Sequence, residues 1–187
     1  MIFKALLVLL VILAGAGAYA YHSATQPYVQ LHPVAASQTS AQQAQAKIDK
    51  LSQALSLARS SGQPQPVSQT FTDSELTSLA DQDLSGSPIS NLILHSSSAG
   101  YIEGTGTATL AGQSFPLYLR ASIVISGGEP ALHLSDVRLG SMSAPSALVT
   151  QIEAALHQSL VLSQSGLSGL KVAFGNGEVT ISGAAEP

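Results

Sequence analysis

The chain has 187 residues, 7 basic and 11 acidic, with 45% in the hydrophobic set and no cysteine. Disulfide scaffolds, zinc–thiolate sites, iron–sulfur clusters, thiol catalysis and lipidation on cysteine are excluded, because each needs a sulfur that is absent. A net charge of −4 offers no basic field to a polyanion, which argues against nucleic-acid binding.

After Lys4 an uncharged stretch, ALLVLLVILAGAGAYAY, runs from Ala5 to Tyr21. As a helix its seventeen residues would reach about 25 Å, close to the hydrocarbon thickness of a bilayer. Two readings are open for residues 1–21. One is a retained single-pass anchor; the other is a signal peptide with an A-x-A-like site at Ala18-Tyr19-Ala20, which would leave the mature chain secreted. Tyr19, Tyr21 and Tyr28 sit where interfacial aromatics are expected and favour retention. Either way the bulk of the chain is expected to be extracytoplasmic, since Lys4 is the only early charge.

Residues 22–68 read as a spacer. Pro27 and Pro33 among polar residues suggest an extended, poorly ordered exit from the membrane. Ala41, Ala44, Ile48, Leu51, Leu55 and Ala58 then recur at three- and four-residue spacing, predicting one amphipathic helix over about 38–61. The stripe is short and alanine-rich for a coiled coil, so a helix lying on its own domain or forming a stalk is preferred. Gln63-Pro64-Gln65-Pro66 reads as a stiff connector, and the folded domain is expected over residues 69–187. That part holds three basic and ten acidic residues, net −7, against +3 before it.

Within the domain, Thr72-Asp73-Ser74-Glu75 is a capping-box sequence opening a short helix with Leu76, Leu79 and Leu84 inward. Two-residue periodicity follows: Ile89 to His95, Tyr101 to Leu110 with Gly104 and Gly106 marking a bulge or bend, and Leu117 to Ile125. Gly127-Gly128 turns the last of these into Leu132, Leu134 and Val137. Ser143-Ala144-Pro145 opens a second helix, with Leu148, Ile152, Ala155, Leu156 and Leu160 on one face up to Gln164-Ser165-Gly166. Leu170 to Phe174 and Glu178 to Ser182 close the chain as a hairpin. The fold class is α+β: a curved antiparallel sheet packed around one long helix, preceded by a membrane helix and a helical spacer.

Motifs for chemistry are sparse. His22, His32, His95, His133 and His157 are not at metal-ligand spacing, no G-x-S-x-G elbow or phosphate loop occurs, and Asp81 and Asp83 read as a solvated helix end. No cofactor, metal or catalytic residue is expected.

The segments TFTDSELTSL, LSDVRLGSMSAPSALVTQIEAAL and GLKVAFGNGEVTISG, behind an N-terminal anchor, resemble the YpmS-like and LmeA-like bacterial envelope proteins over roughly residues 69–184. The resemblance implies a tubular lipid-binding (TULIP) fold, in which a curved sheet wraps a long helix and a groove between them accepts acyl chains, with no defined enzyme activity. Groove candidates, placed by position, are Leu148, Ile152, Leu156 and Leu160 on the helix, facing Leu119, Ile123 and Leu134; plain core packing is the competing reading of these seven. Three functions are weighed: a membrane-tethered lipid-binding domain, an envelope scaffold that binds another membrane or cell-wall protein through the 41–58 stripe, and, last, a hydrolase.

Overall fold

The computed structural model describes residues 22–85, 87–110, 112–126, 129–146, 149–150, 153 and 166–187. Their fold is α+β with two antiparallel sheets. The anchor expected over residues 5–21 lies outside the described residues, and of the helix expected from Leu148 to Leu160 only Val149, Thr150 and Glu153 are described, all helical. Among the described residues no helix is long and apolar enough to cross a membrane.

Helix α1, Gln38–Ser61, begins where the Ser37 hydroxyl accepts the Ser40 amide and ends where Gly62 turns left-handed (φ 66°) and donates its N–H to Ala58 O. These are the two standard ways of satisfying orphan groups at helix ends. Its buried residues are Ala41, Ala44, Leu51, Leu55 and Ala58, five of the six in the predicted stripe, with Ile48 half-buried; Ala44, Leu51, Leu55 and Ala58 pack with residues of the domain's own strands.

Strand β1, Gln65–Thr72, follows almost directly. This corrects the expectation of a connector and of a boundary at Gln69: Gln65 and Pro66 already pair with Ala185 and Ala184. A proline is tolerated because β1 is an edge strand, where its missing N–H need not cost a ladder bond. Helix α2, Asp73–Asp83, carries the complete capping box, with Glu75 N donating to Thr72 Oγ1 and Thr72 N to Glu75 Oε2.

The five-stranded sheet runs β2 (Ile89–Ser97), β3 (Tyr101–Leu110), β4 (Gln113–Ser126), β5 (Glu129–Leu139) and β6 (Met142–Ser143), each beside the next. The final hairpin, β7 (Leu167–Phe174) and β8 (Glu178–Ala185), pairs with β1 to form a second sheet ordered β1-β8-β7. A bulge between Ser90 and Ile93 sets two β2 residues against Gly106 alone. Asn91 adopts φ 52° there, a left-handed conformation that asparagine tolerates better than most residues.

Residues 22–36, part of the segment expected to be poorly ordered, are held against the domain. They lie as a strap along the outer face of the five-stranded sheet. Ser141 N donates to Ser23 O at 2.9 Å, and the Tyr28 ring meets Tyr118 edge-on at 5.1 Å under the Arg138 guanidinium at 4.2 Å. Further along, His32 O contacts His95 Nε2 at 2.7 Å and Ala35 O accepts the Ser74 hydroxyl. Residues 22–25 are helical, and Pro27 and Pro33 stiffen the extended course that follows.

Buried side chains form three clusters. One lies on the five-stranded sheet around Leu92, Leu117, Leu119, Ala121, Leu134 and Val137. The others join α1 to the three-stranded sheet, through Leu51, Leu55, Ala58 and Val67 and through Ala44, Phe71, Leu170 and Ile181.

Candidate functional site

Where the three clusters meet, the interior is open. A cavity of about 360 Å³ lies among α1, α2 and the inner faces of both sheets. Its described lining takes Ile48, Leu51 and Leu55 from α1, Leu76 and Leu79 from α2 with its C-cap Leu84, Leu119, Ala121 and Ile123 from β4, and Phe71, Val179 and Ile181 from the second sheet. Alternation along each strand puts these residues on one face, and the three- and four-residue spacing does the same on each helix. Among the described lining residues only Gln45, Ser52 and Asp83 are polar. A lining of this kind repels water and suits hydrocarbon, and the volume falls at the lower end of the range for small-molecule sites.

Of the seven groove candidates, Leu119 and Ile123 line the cavity. Leu134 is buried in the cluster on the five-stranded sheet and is not among the cavity's described lining. Leu148, Ile152, Leu156 and Leu160 lie outside the described residues. Sequence reasoning put Leu76, Leu79 and Leu84 inward and Ile48, Leu51 and Leu55 on one apolar stripe of a helix lying on the domain or forming a stalk, yet did not assign them to the same space. The missing signal was β1: once Gln65–Thr72 pairs with β8, α1 has to fold back over the cavity.

The polar residues nearest to catalytic composition are Asp73, His95 and Ser96. The Asp73 carboxylate is buried and accepts the Ser96 amide at 2.8 Å and the Ser96 hydroxyl, while His95 Nδ1 lies 3.0 Å from its other oxygen. The remaining histidine nitrogen faces the His32 carbonyl. Ser96 therefore donates to the carboxylate and makes no hydrogen bond to the imidazole, whereas an activated serine would donate to it. This cluster ties elements together: Asp73 N also donates to Gly177 O, and Gly177 N to Ser96 O.

A second polar cluster lies under the strap. Glu103 accepts Tyr118 Oη at 2.7 Å and Arg120 Nη2 at 2.8 Å, with the Arg120 guanidinium stacked on the Tyr101 ring at 4.5 Å. Burial pushes the Glu103 carboxyl up, but the Tyr118 and Arg120 donors outweigh it and hold it below the ordinary range. Burial, then the hydrogen bond to Glu103, pushes the Tyr118 phenol up to about 12.

Among the described residues no group of acidic or histidine side chains is arranged to hold a metal ion. No protein-family model matches the chain, and neither a curated protein nor a solved structure matches it.

Proposed function

We propose that this chain is a non-enzymatic envelope domain, tethered to the membrane through residues 5–21, that binds lipid or another apolar ligand between its sheets and helices. The observation that carries the reading is the cavity at the junction of the three buried clusters, lined by leucine, isoleucine, valine and phenylalanine from both sheets and both helices. An apolar occupant removes this lining from water, a gain of about 25 cal/mol for each Å² of apolar surface covered. The TULIP-like arrangement, a curved sheet around a long helix, belongs to the same proposal, as does an extracytoplasmic location, with secretion the outcome if residues 1–20 are removed.

The scaffold reading loses its contact surface. Ala41, Ala44, Leu51, Leu55 and Ala58 of the 41–58 stripe are buried inside the domain, so a partner protein would have to use another face.

Full-length chain, extracted and delipidated, is titrated with a fluorescent single-chain lipid alongside Ala80→Phe and Ala121→Phe, each of which puts a ring into the cavity lining. Saturable uptake by the wild type, lost in both variants while the fold is retained by circular dichroism, supports the reading. Absence of saturable uptake by the wild type overturns it.

A further inference from the structure

The start of the strap limits how far the domain can stand from the bilayer, on the premise, taken from the proposed function, that residues 5–21 stay in the membrane. The uncharged block ends at Tyr21, and the chain is already fastened at Ser23, whose carbonyl accepts both the Ser141 amide and the Ser141 hydroxyl at 2.9 Å. Gly140 packs so closely beside this contact that a Cβ would collide with Ala24 O. From Tyr21 to Ser23 the chain can reach at most about 7 Å. The head-group layer of one leaflet is roughly 5–8 Å thick, half the difference between a whole bilayer and its hydrocarbon core. That premise therefore places the β5–β6 turn at the head groups, with no length of chain left to act as a stalk.

The surface around the turn has the matching chemistry. Ser141, Ser143 and Pro145 are exposed, as are Met142 at 42% and Tyr28 at 44%; Tyr28 lies under Arg138, the β5 partner of Ser143. Residues 69–187 are net −7, yet no acidic residue precedes Asp49 and none falls between Asp136 and Glu153. Asp136 is balanced by Arg138 at 2.9 Å. This face is thus nearly neutral, and an anionic leaflet does not repel it as it would the acidic remainder. A tyrosine and a methionine among serines also match the mixed polarity of the head-group layer. We propose that the β5–β6 turn and the start of the strap form a membrane-contact surface, which seats the domain on the outer leaflet with Met142 and Tyr28 among the lipid head groups. Val124 and Ile125 are also exposed, but Val124 is seven residues along β4 from Leu117, the partner of Leu139. That separation is about 23 Å, and the hairpin beyond it carries Glu129, so this end of the sheet is left clear of the lipid.

The test uses the full chain, whose lack of cysteine lets one label be placed at a time. Met142→Cys and Val124→Cys, both at exposed positions, carry the same fluorophore and are reconstituted in phosphatidylcholine nanodiscs, with and without a phosphatidylcholine that bears a nitroxide on its head group. The expected result is a loss of emission severalfold larger in Met142→Cys than in Val124→Cys, because the nitroxide quenches only what comes to the head groups. For chain that elutes with the discs, equal loss in the two variants, a larger loss in Val124→Cys or no loss in either overturns the contact surface and leaves the anchor and cavity readings standing. Chain that elutes free of the discs overturns the anchor reading and the contact surface together.

Discussion

The Asp73 carboxylate accepts the Ser96 amide at 2.8 Å, and this pair joins the start of α2 to the end of β2. Because the Asp73 amide also donates to the β7–β8 turn at Gly177 O, one residue links the two sheets on either side of the cavity. Removing the side chain strands a buried amide and hydroxyl at Ser96. Asp73→Ala is expected to cost about 2–4 kcal/mol, the sum of charge-assisted hydrogen bonds and unsatisfied donors, read as a lower urea midpoint. Asp73→Asn keeps one acceptor and should fall between the wild type and Asp73→Ala.

Lys47 and Glu75 hold α1 against α2 on the same side of the molecule. Burial raises the Glu75 carboxyl, but the Lys47 ammonium and the Thr72 amide together bring it below its ordinary value of 4.5. A carboxyl depressed in the folded state contributes stability that is present above its unfolded value and is lost as pH falls through the folded one. Urea midpoints should therefore drop as pH is lowered from about 5 towards 3. Glu75→Gln should cost about 1–3 kcal/mol near neutrality and flatten that acid slope. Some slope should persist, because the Glu103 carboxyl is depressed as well.

Much of the five-stranded sheet and α2 was legible because local signals there agree with the tertiary outcome. Thr72 and Glu75 close the capping box that their spacing announces, and Leu117, Leu119 and Ala121 turn to the interior as period two requires. The second sheet was not legible from local signals. Pro64 and Pro66 read as a linker, and only the long-range pairing of Val67 with Gly183 and Phe71 with Val179 makes the segment a strand. The strap was hidden for the same reason: Tyr118 reads as an outward residue by alternation, yet it is 2% exposed because Tyr28, ninety positions earlier in the chain, covers it. The cavity inherits this limit. Its helix faces follow from periodicity, but their convergence depends on β1.

The strap gives a second way to test the fold. Gly140 adopts φ 56°, and a Cβ there would collide with the backbone of Ala24. Gly140→Ala should displace residues 22–36 from the sheet, while Tyr28→Ala removes the ring contact without the collision. Both are expected to speed hydrogen exchange across residues 22–36, with the glycine variant showing the larger effect. Exchange in β7 and β8 should be unchanged, since the strap contacts described above fall on the other sheet and on α2.

Two glycines of β3 should differ in cost. A Cβ on Gly106 would meet Ser90 O at 3.0 Å and Leu92 Cα at 3.2 Å, both backbone atoms of the bulge. One on Gly104 would meet the side chains of Leu119 and Leu94 at 3.0–3.1 Å, and both of those line the cavity, into which they have room to move. Gly106→Ala should cost about 1–3 kcal/mol in unfolding free energy, Gly104→Ala less. The latter should also weaken uptake of an apolar ligand, because the displaced leucines shrink its space.

Tyr118 supplies an alkaline prediction. Burial and the hydrogen bond to Glu103 raise its phenol from an ordinary 10.0 to about 12. For a group raised in the folded state, the associated stability is complete below the unfolded value and is lost as pH climbs through the folded one. Tyrosinate absorbance followed against pH should therefore show a last-titrating tyrosine among the five, and it should disappear in Tyr118→Phe. Glu103→Gln takes away the negative charge beside the phenol and should bring that titration down towards 10.0 without abolishing it, since burial remains. It also leaves Arg120 without its carboxylate, so the variant should lose stability near neutrality, where Tyr118→Phe loses only a neutral donor. A wild-type titration with all five tyrosines ionising together would contradict the geometry under the strap.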